Sequence, residues 1–150
     1  MIRALIVDDE PQAREIIQHL LDDQSDIEVV GASDNGQDAV QLILERKPEL
    51  IFLDIQMPEL NGFEVAEVIM EDYNPQIVFV TAYDEYAIKA FEINAVDYIM
   101  KPYDDERFFQ ALDRAKSRIS TKNDLDKAAV LKLLNSMILR NSSPVEDHFF

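Results

Sequence analysis

Leu50-Ile51-Phe52-Leu53-Asp54-Ile55-Gln56-Met57-Pro58-Glu59-Leu60-Asn61-Gly62 decides how this chain folds. Leu50–Leu53 has the length of a strand and no polar alternation, the pattern of a strand buried on both faces. The run stops at an acid, Asp54, and Pro58 and Gly62 mark the connection that follows. Beyond it Val65, Ala66, Ile69 and Met70 recur at helical spacing as a one-sided apolar stripe. The unit is a strand, a short turn and a helix.

The same unit repeats in both directions. Strand-like runs at Ile2–Val7, 27–32, 77–80 and 96–100 alternate with helical stripes. The stripes are Ala13, Ile16, Ile17, Leu20 and Leu21; Ala39, Val40, Ile43 and Leu44; Tyr86, Ala87, Ala90 and Phe91; and Phe108, Leu112, Ala115 and Ile119. Asp104 and Asp105 stand where they would cap the last of these. Strand and helix alternating five times imply a parallel sheet covered on both faces by right-handed crossovers. Five strands cannot close an eight-stranded barrel. The expected fold is therefore α/β, a doubly wound, flavodoxin-like (βα)5 sheet in the order 2-1-3-4-5, with a C-terminal helical extension.

One domain is expected over residues 1–120, with 121–150 a linker helix and the start of an output domain. In 124–139, Val130, Leu134, Met137 and Ile138 share one face, which suits either a helix that folds back or one that dimerises or signals. Residues 141–144 read as a loop, and His148-Phe149-Phe150 as the beginning of another element.

Composition narrows the functions. A chain of 150 residues, 47% hydrophobic and 29% charged, is an ordinary globular domain. It has no cysteine, which excludes disulfides and thiolate metal sites and suits a reducing cytoplasm. The apolar start is cut short by Asp8 and Asp9, too soon for a signal peptide, and no later run is long enough to span a bilayer. Thirty acidic residues against 14 basic ones give a net charge of −16, which opposes direct binding of nucleic acid or anionic lipid. His19 and His148 have no partner at metal-ligand spacing.

In doubly wound sheets the ligand site lies beyond the carboxyl ends of the strands, where the winding reverses between the first and third. Asp8-Asp9 follow the first strand and Asp54 the third, while Thr81 ends the fourth and Lys101 follows the fifth. Taken singly these have ordinary explanations: Asp8, Asp9 and Glu10 as caps for the helix that Pro11 opens, Thr81 as a strand hydroxyl, Lys101 as a solvated charge. Together they are harder to explain that way, since carboxylates about 5 Å apart repel by roughly 3 kcal/mol per pair at an effective dielectric of about 20. Lys101 supplies one positive charge, and hard carboxylate oxygens also suit Mg²⁺. There is no Ser/His/Asp triad and no phosphate-cradling G-x-x-x-x-G-K-[ST] loop, so the nucleophile that remains is a carboxylate able to accept a phosphoryl group.

Val7-Asp8-Asp9-Glu10, Phe52-Leu53-Asp54-Ile55-Gln56-Met57-Pro58 with Gly62, Thr81-Ala82 and Tyr98-Ile99-Met100-Lys101-Pro102 resemble the receiver domains of two-component response regulators, over residues 1 to about 120. The resemblance implies that Asp54 is the phosphorylation site. It implies Mg²⁺ bound by Asp9, Asp54 and the Gln56 main-chain carbonyl, with Asp8 acting largely through coordinated water. By the same likeness Lys101 pairs with Asp8 and Asp54 and then with the phosphoryl group, and Thr81 hydrogen-bonds a phosphoryl oxygen. Tyr98 swings inward as Thr81 moves, and the Lys101-Pro102 bond is cis. Residues 79–92 look in particular like receivers of the LytTR class, which implies a DNA-binding C-terminal domain outside this chain. The expected partners are a sensor histidine kinase and a second copy, through the face of the fourth helix, fifth strand and fifth helix.

A phosphorylation-independent interaction module of the same fold is the alternative, and a phosphatase with an aspartate nucleophile is disfavoured because Gln56 replaces its second acid. Gln56 and Tyr83, two residues beyond Asp54 and Thr81, are placed to flank an attacking water. Gly62 is read as relieving backbone strain in the turn before the third helix.

Overall fold

The computed structural model describes residues 1–71 and 73–142. In chain order the elements are β1 (Ile2–Val7), α1 (Pro11–Asp22), β2 (Ile27–Ser33), α2 (Gly36–Arg46), β3 (Leu50–Leu53), α3 (Gly62–Met70), β4 (Gln76–Thr81), α4 (Ala87–Glu92), β5 (Asp97–Met100) and α5 (Asp105–Ser142). The strands form one parallel sheet in the order β2-β1-β3-β4-β5, as the alternation predicts. Strand four begins and ends one residue outside the apolar run, and strand five begins one residue inside it.

Every residue of β3 is buried, so its lack of alternation does reflect two covered faces. Ile51 and Leu53 join Leu5, Val7, Ile77 and Phe79 in a core with Ile43 of α2 and Phe63, Val65 and Ile69 of α3. On the opposite face Phe52 stacks on Phe108 of α5, ring centroids 5.2 Å apart. The ladder pairs Val7 with Leu53, Leu53 with Phe79 and Phe79 with Tyr98. β2, β1 and β3 therefore finish in step, while β4 and β5 run two residues further, to Thr81 and Met100, and the residues at these ends gather at one edge of the sheet.

Helix ends show where local chemistry acts. Asn61 caps α3, its side chain accepting from the Glu64 N–H while Glu64 accepts from the Asn61 N–H, a reciprocal box. Asp104 accepts from the Arg107 N–H at the start of α5, as its position suggested. Glu10 precedes α1 without any side-chain cap, so the capping explanation of the acids beyond β1 does not hold for it.

Three expectations are corrected. Gly62 does not relieve a strained conformation, because the positive φ in its turn belongs to Glu59, at 68°. It is required instead by close approach: a Cβ there would stand 2.3 Å from the Asp54 carbonyl oxygen. The α4 stripe is only partly buried, with Ala90 enclosed but Phe91 85% exposed. Finally, α5 is one helix of 38 residues through 117–121 and through Asn141 and Ser142 of the expected loop. No glycine or proline interrupts those positions, and serine and threonine alone are too weak to stop a helix.

The chain divides into two compact units, Met1–Lys116 and Ser117–Phe150. The first contains the sheet and all the residues singled out at the strand ends. In the second, Val130, Leu134, Met137 and Ile138 are all exposed. His148-Phe149-Phe150 lie outside the described residues. Among the described residues no helix is long and apolar enough to cross a membrane.

Candidate functional site

The sheet's own hydrogen bonding extends into the residues beyond the strand ends. Asp54 donates its N–H to the Val7 carbonyl at 2.9 Å, Asp8 to Ser33 at 3.1 Å and Lys101 to Thr81 at 2.8 Å. Each functional side chain therefore hangs from backbone that the ladder holds fixed. The Lys101-Pro102 peptide is cis.

Lys101 spans the acids. Its Nζ lies 2.7 Å from Asp8 Oδ2 and 3.5 Å from both Asp54 Oδ2 and Glu10 Oε1. The Asp8 and Asp54 side chains are almost fully enclosed, at 1% and 6% exposure. Asp54 Oδ1 accepts the Ile55 N–H at 2.7 Å, and the carboxylate also has a hydrogen bond from buried Thr81. Asp8 Oδ1 accepts the Glu10 N–H at 3.0 Å.

Burial pushes the Asp54 carboxyl up to about 6; the Asp8 charge adds to this, while Lys101, the Ile55 N–H and Thr81 counter it. Desolvation and then Asp8 likewise hold Asp9 above the usual carboxylate range. At Lys101 burial favours the neutral amine, but the hydrogen bond to Asp8 and the charges of Asp54, Asp8 and Glu10 outweigh it and raise its pKa. One ammonium therefore leaves the acids short of positive charge. Asp8, Asp9, Glu10 and Asp54 each offer an oxygen, all within 4.8 Å of one another. Several hard oxygens with an excess of negative charge fit a small divalent cation such as Mg²⁺.

Asp8, Asp9, Asp54, Thr81 and Lys101 are thus brought together, and Glu10 joins a cluster from which the sequence reading omitted it. Its acidity beside Asp8-Asp9 was the available signal, obscured by the capping explanation. Gln56 has an exposed side chain, and its Nε2 donates to the Tyr86 hydroxyl at 2.6 Å. Tyr98 is half-buried, and its hydroxyl donates to the Tyr83 carbonyl. Burial raises the pKa of that hydroxyl. His19 is exposed on α1 and belongs to no potential metal-binding group among the described residues.

A five-stranded doubly wound sheet with an acidic cluster and a lysine at its switch point defines a class, and residues 4–113 match the response regulator receiver domain model. The chain belongs to that family, and a receiver domain is a phosphoacceptor in two-component signalling rather than an enzyme turning over a separate substrate. It is 40% identical over 152 residues to the sensory transduction protein LytT of Bacillus anthracis, covering 98% of this chain and 60% of the relative. Over 123 residues it is 46% identical to the transcriptional regulatory protein BtsR of Escherichia coli K12, covering 82% of this chain and 52% of that one. These relatives agree with the LytTR-class likeness of residues 79–92. The chain spans only 52 to 60% of their length. Among solved structures, the response regulatory domain of protein mrkE from Klebsiella pneumoniae superposes with a TM-score of 0.75 at 36% identity, covering 80% of this chain and 99% of that one.

Proposed function

We propose that this chain is a phosphorylation-controlled switch in which Asp54 accepts a phosphoryl group from a sensor histidine kinase. The observation that carries this is the placement of Lys101 between Asp8 and Asp54, 2.7 Å and 3.5 Å from their carboxylates, with Thr81 hydrogen-bonded to Asp54. An Asp54 carboxylate oxygen bonds to phosphorus as the phosphorus–nitrogen bond of the donor phosphohistidine breaks. The electron pair leaves on the imidazole. Lys101 neutralises the transferring oxygens, and the Thr81 hydroxyl turns from Asp54 to a phosphoryl oxygen. Asp8, Asp9, Asp54 and the Gln56 main-chain carbonyl would hold Mg²⁺, with Glu10 at the edge of the set. Bound there, the ion would supply positive charge to the phosphoryl oxygens.

Movement of Thr81 makes room for Tyr98 to turn inward, releasing the Tyr83 carbonyl and reshaping the start of α4. Gln56 and Tyr83 flank the phosphoryl group and set how long it persists. Residues 1–120 act as the receiver and 121–150 as a connection to an output domain. The longer relatives, one named a transcriptional regulator, favour DNA-directed output in the cytoplasm by a C-terminal domain.

Incubated with Mg²⁺ and acetyl phosphate, the chain is expected to gain one phosphoryl group by intact mass, and Asp54→Asn none. A gain that survives Asp54→Asn removes Asp54 from the role. No gain by the unaltered chain, from acetyl phosphate or from a kinase, favours the phosphorylation-independent module.

A further inference from the structure

Gln56 and Tyr86 are 30 residues apart in sequence, yet the Gln56 Nε2 donates to the Tyr86 hydroxyl at 2.6 Å. Gln56 is otherwise an exposed side chain in the turn after β3, two residues from Asp54. Left to itself, a solvent-facing glutamine spreads over many rotamers. Tyr86 is able to hold it because its own ring is fixed, edge-on to Phe63 at 5.7 Å and to Tyr83 at 6.3 Å. Phe63 is in turn packed on Phe79 at 5.0 Å in the core. A rigid aromatic post thus tethers the amide nitrogen of Gln56 and leaves its carbonyl oxygen as the group open to a water.

We propose that Tyr86 is a positioning residue that fixes the Gln56 carboxamide and thereby sets the hydrolytic lifetime of phosphorylated Asp54. The proposal rests on the phosphoacceptor role of Asp54. In hydrolysis a water oxygen bonds to phosphorus while the bond from phosphorus to the Asp54 oxygen breaks. The electron pair returns to the carboxylate, and the water's protons leave with inorganic phosphate or pass to solvent. A carboxamide already held in place accepts a hydrogen bond from that water without first losing rotamer freedom. Freed, it loses that advantage, and decay slows.

Tyr86 is also the residue from which α4 starts, its carbonyl accepting the Ala90 N–H at 3.0 Å. The tether consequently joins the lifetime of the modification to the position of α4.

Tyr86→Phe keeps the ring and removes only the hydroxyl. The full chain, labelled with acetyl phosphate and Mg²⁺ and then freed of donor, is expected to lose its phosphoryl group three- to tenfold more slowly in Tyr86→Phe than unaltered. Gln56→Ala should slow decay at least as much, and the double variant should equal Gln56→Ala alone. An unchanged or faster decay in Tyr86→Phe, or slowing that persists in the Gln56→Ala background, overturns the proposal. In the unphosphorylated protein the Gln56 side-chain amide resonances should shift in Tyr86→Phe, and no shift also overturns it. That spectrum needs no phosphorylation. Failure of the unaltered chain to be phosphorylated therefore defeats the acceptor role separately from the tether.

Discussion

Asp54 has a 6%-exposed side chain and a carboxyl group raised to about 6. A carboxyl group raised on folding binds more protons in the folded than in the unfolded chain between pH 3.8 and about 6, so stability falls as pH rises across that window. Above it, ionised Asp54 carries its full cost, which the shift from 3.8 to about 6 places near 3 kcal/mol at most. With divalent cations chelated, Asp54→Asn is expected to raise stability at pH 7 by about 1–3 kcal/mol and to lose that advantage below about pH 4. Denaturant unfolding across this range measures both, and an Asn variant less stable at pH 7 would mean that Lys101 more than compensates for the buried charge. Asp8, Asp9, Asp54 and Lys101 were legible in sequence because each follows a strand end, and strand ends follow from the apolar runs. The tether between Gln56 and Tyr86 was not, since each occupies its own loop and only the fold brings the two within 2.6 Å.

At the scale of elements, the turn between β3 and α3 presents Asp54, and its geometry depends on Gly62. The Asp54 N–H is held by Val7 and the Gly62 N–H by Ile55, both at 2.9 Å, so neither side of the close contact can easily retreat. Gly62→Ala, with its Cβ 2.3 Å from the Asp54 carbonyl oxygen, is expected to cost about 1–3 kcal/mol and to slow phosphorylation by moving the acceptor. Asn61→Ala, which removes only the α3 cap, should cost about 1 kcal/mol and leave the phosphorylation rate nearly intact. Calorimetry with phosphorylation kinetics on both variants separates close approach from helix stability; equal kinetics would show that the contact does not position Asp54. Element type and order were readable because short unbroken apolar runs and one-sided stripes at 3.6-residue spacing differ in kind. The reason for Gly62 was not, because a glycine that avoids a clash and one that takes a positive φ look alike in sequence. The uninterrupted α5 went unread because the fifth stripe was followed only to Ile119 and 121–150 was read apart from it, although no glycine or proline separates the two.

For the whole molecule, the exposed side of α4 bears on assembly. Ile88 is 75% exposed and Phe91 85%, three residues apart and so on one side of the helix, and Met100 at the end of β5 is 41% exposed. At the start of β5, Asp97 is met by Arg107 at 2.8 Å and Arg114 at 2.6 Å. Burial raises the Asp97 carboxyl, but the Arg107 hydrogen bond, the Tyr98 N–H and the two arginine charges together hold it below the usual range. The arginines are already paired within the chain, so a second copy docking on α4 would meet them as a polar rim, with Phe91 as its apolar anchor. A stable interface buries about 800 Å² per partner, and two or three apolar side chains supply only its centre. A homodimer through this face, expected from the family resemblance, should accordingly be weak without phosphate and strengthen when Tyr98 and the start of α4 rearrange. Sedimentation velocity is expected to show mostly monomer in the untreated protein and a larger dimer fraction with acetyl phosphate and Mg²⁺. Phe91→Glu should abolish that gain while leaving Asp54 phosphorylation unchanged, because it places a desolvated charge at the centre of the contact. A Phe91→Glu protein that still dimerises on phosphorylation would move the interface off α4.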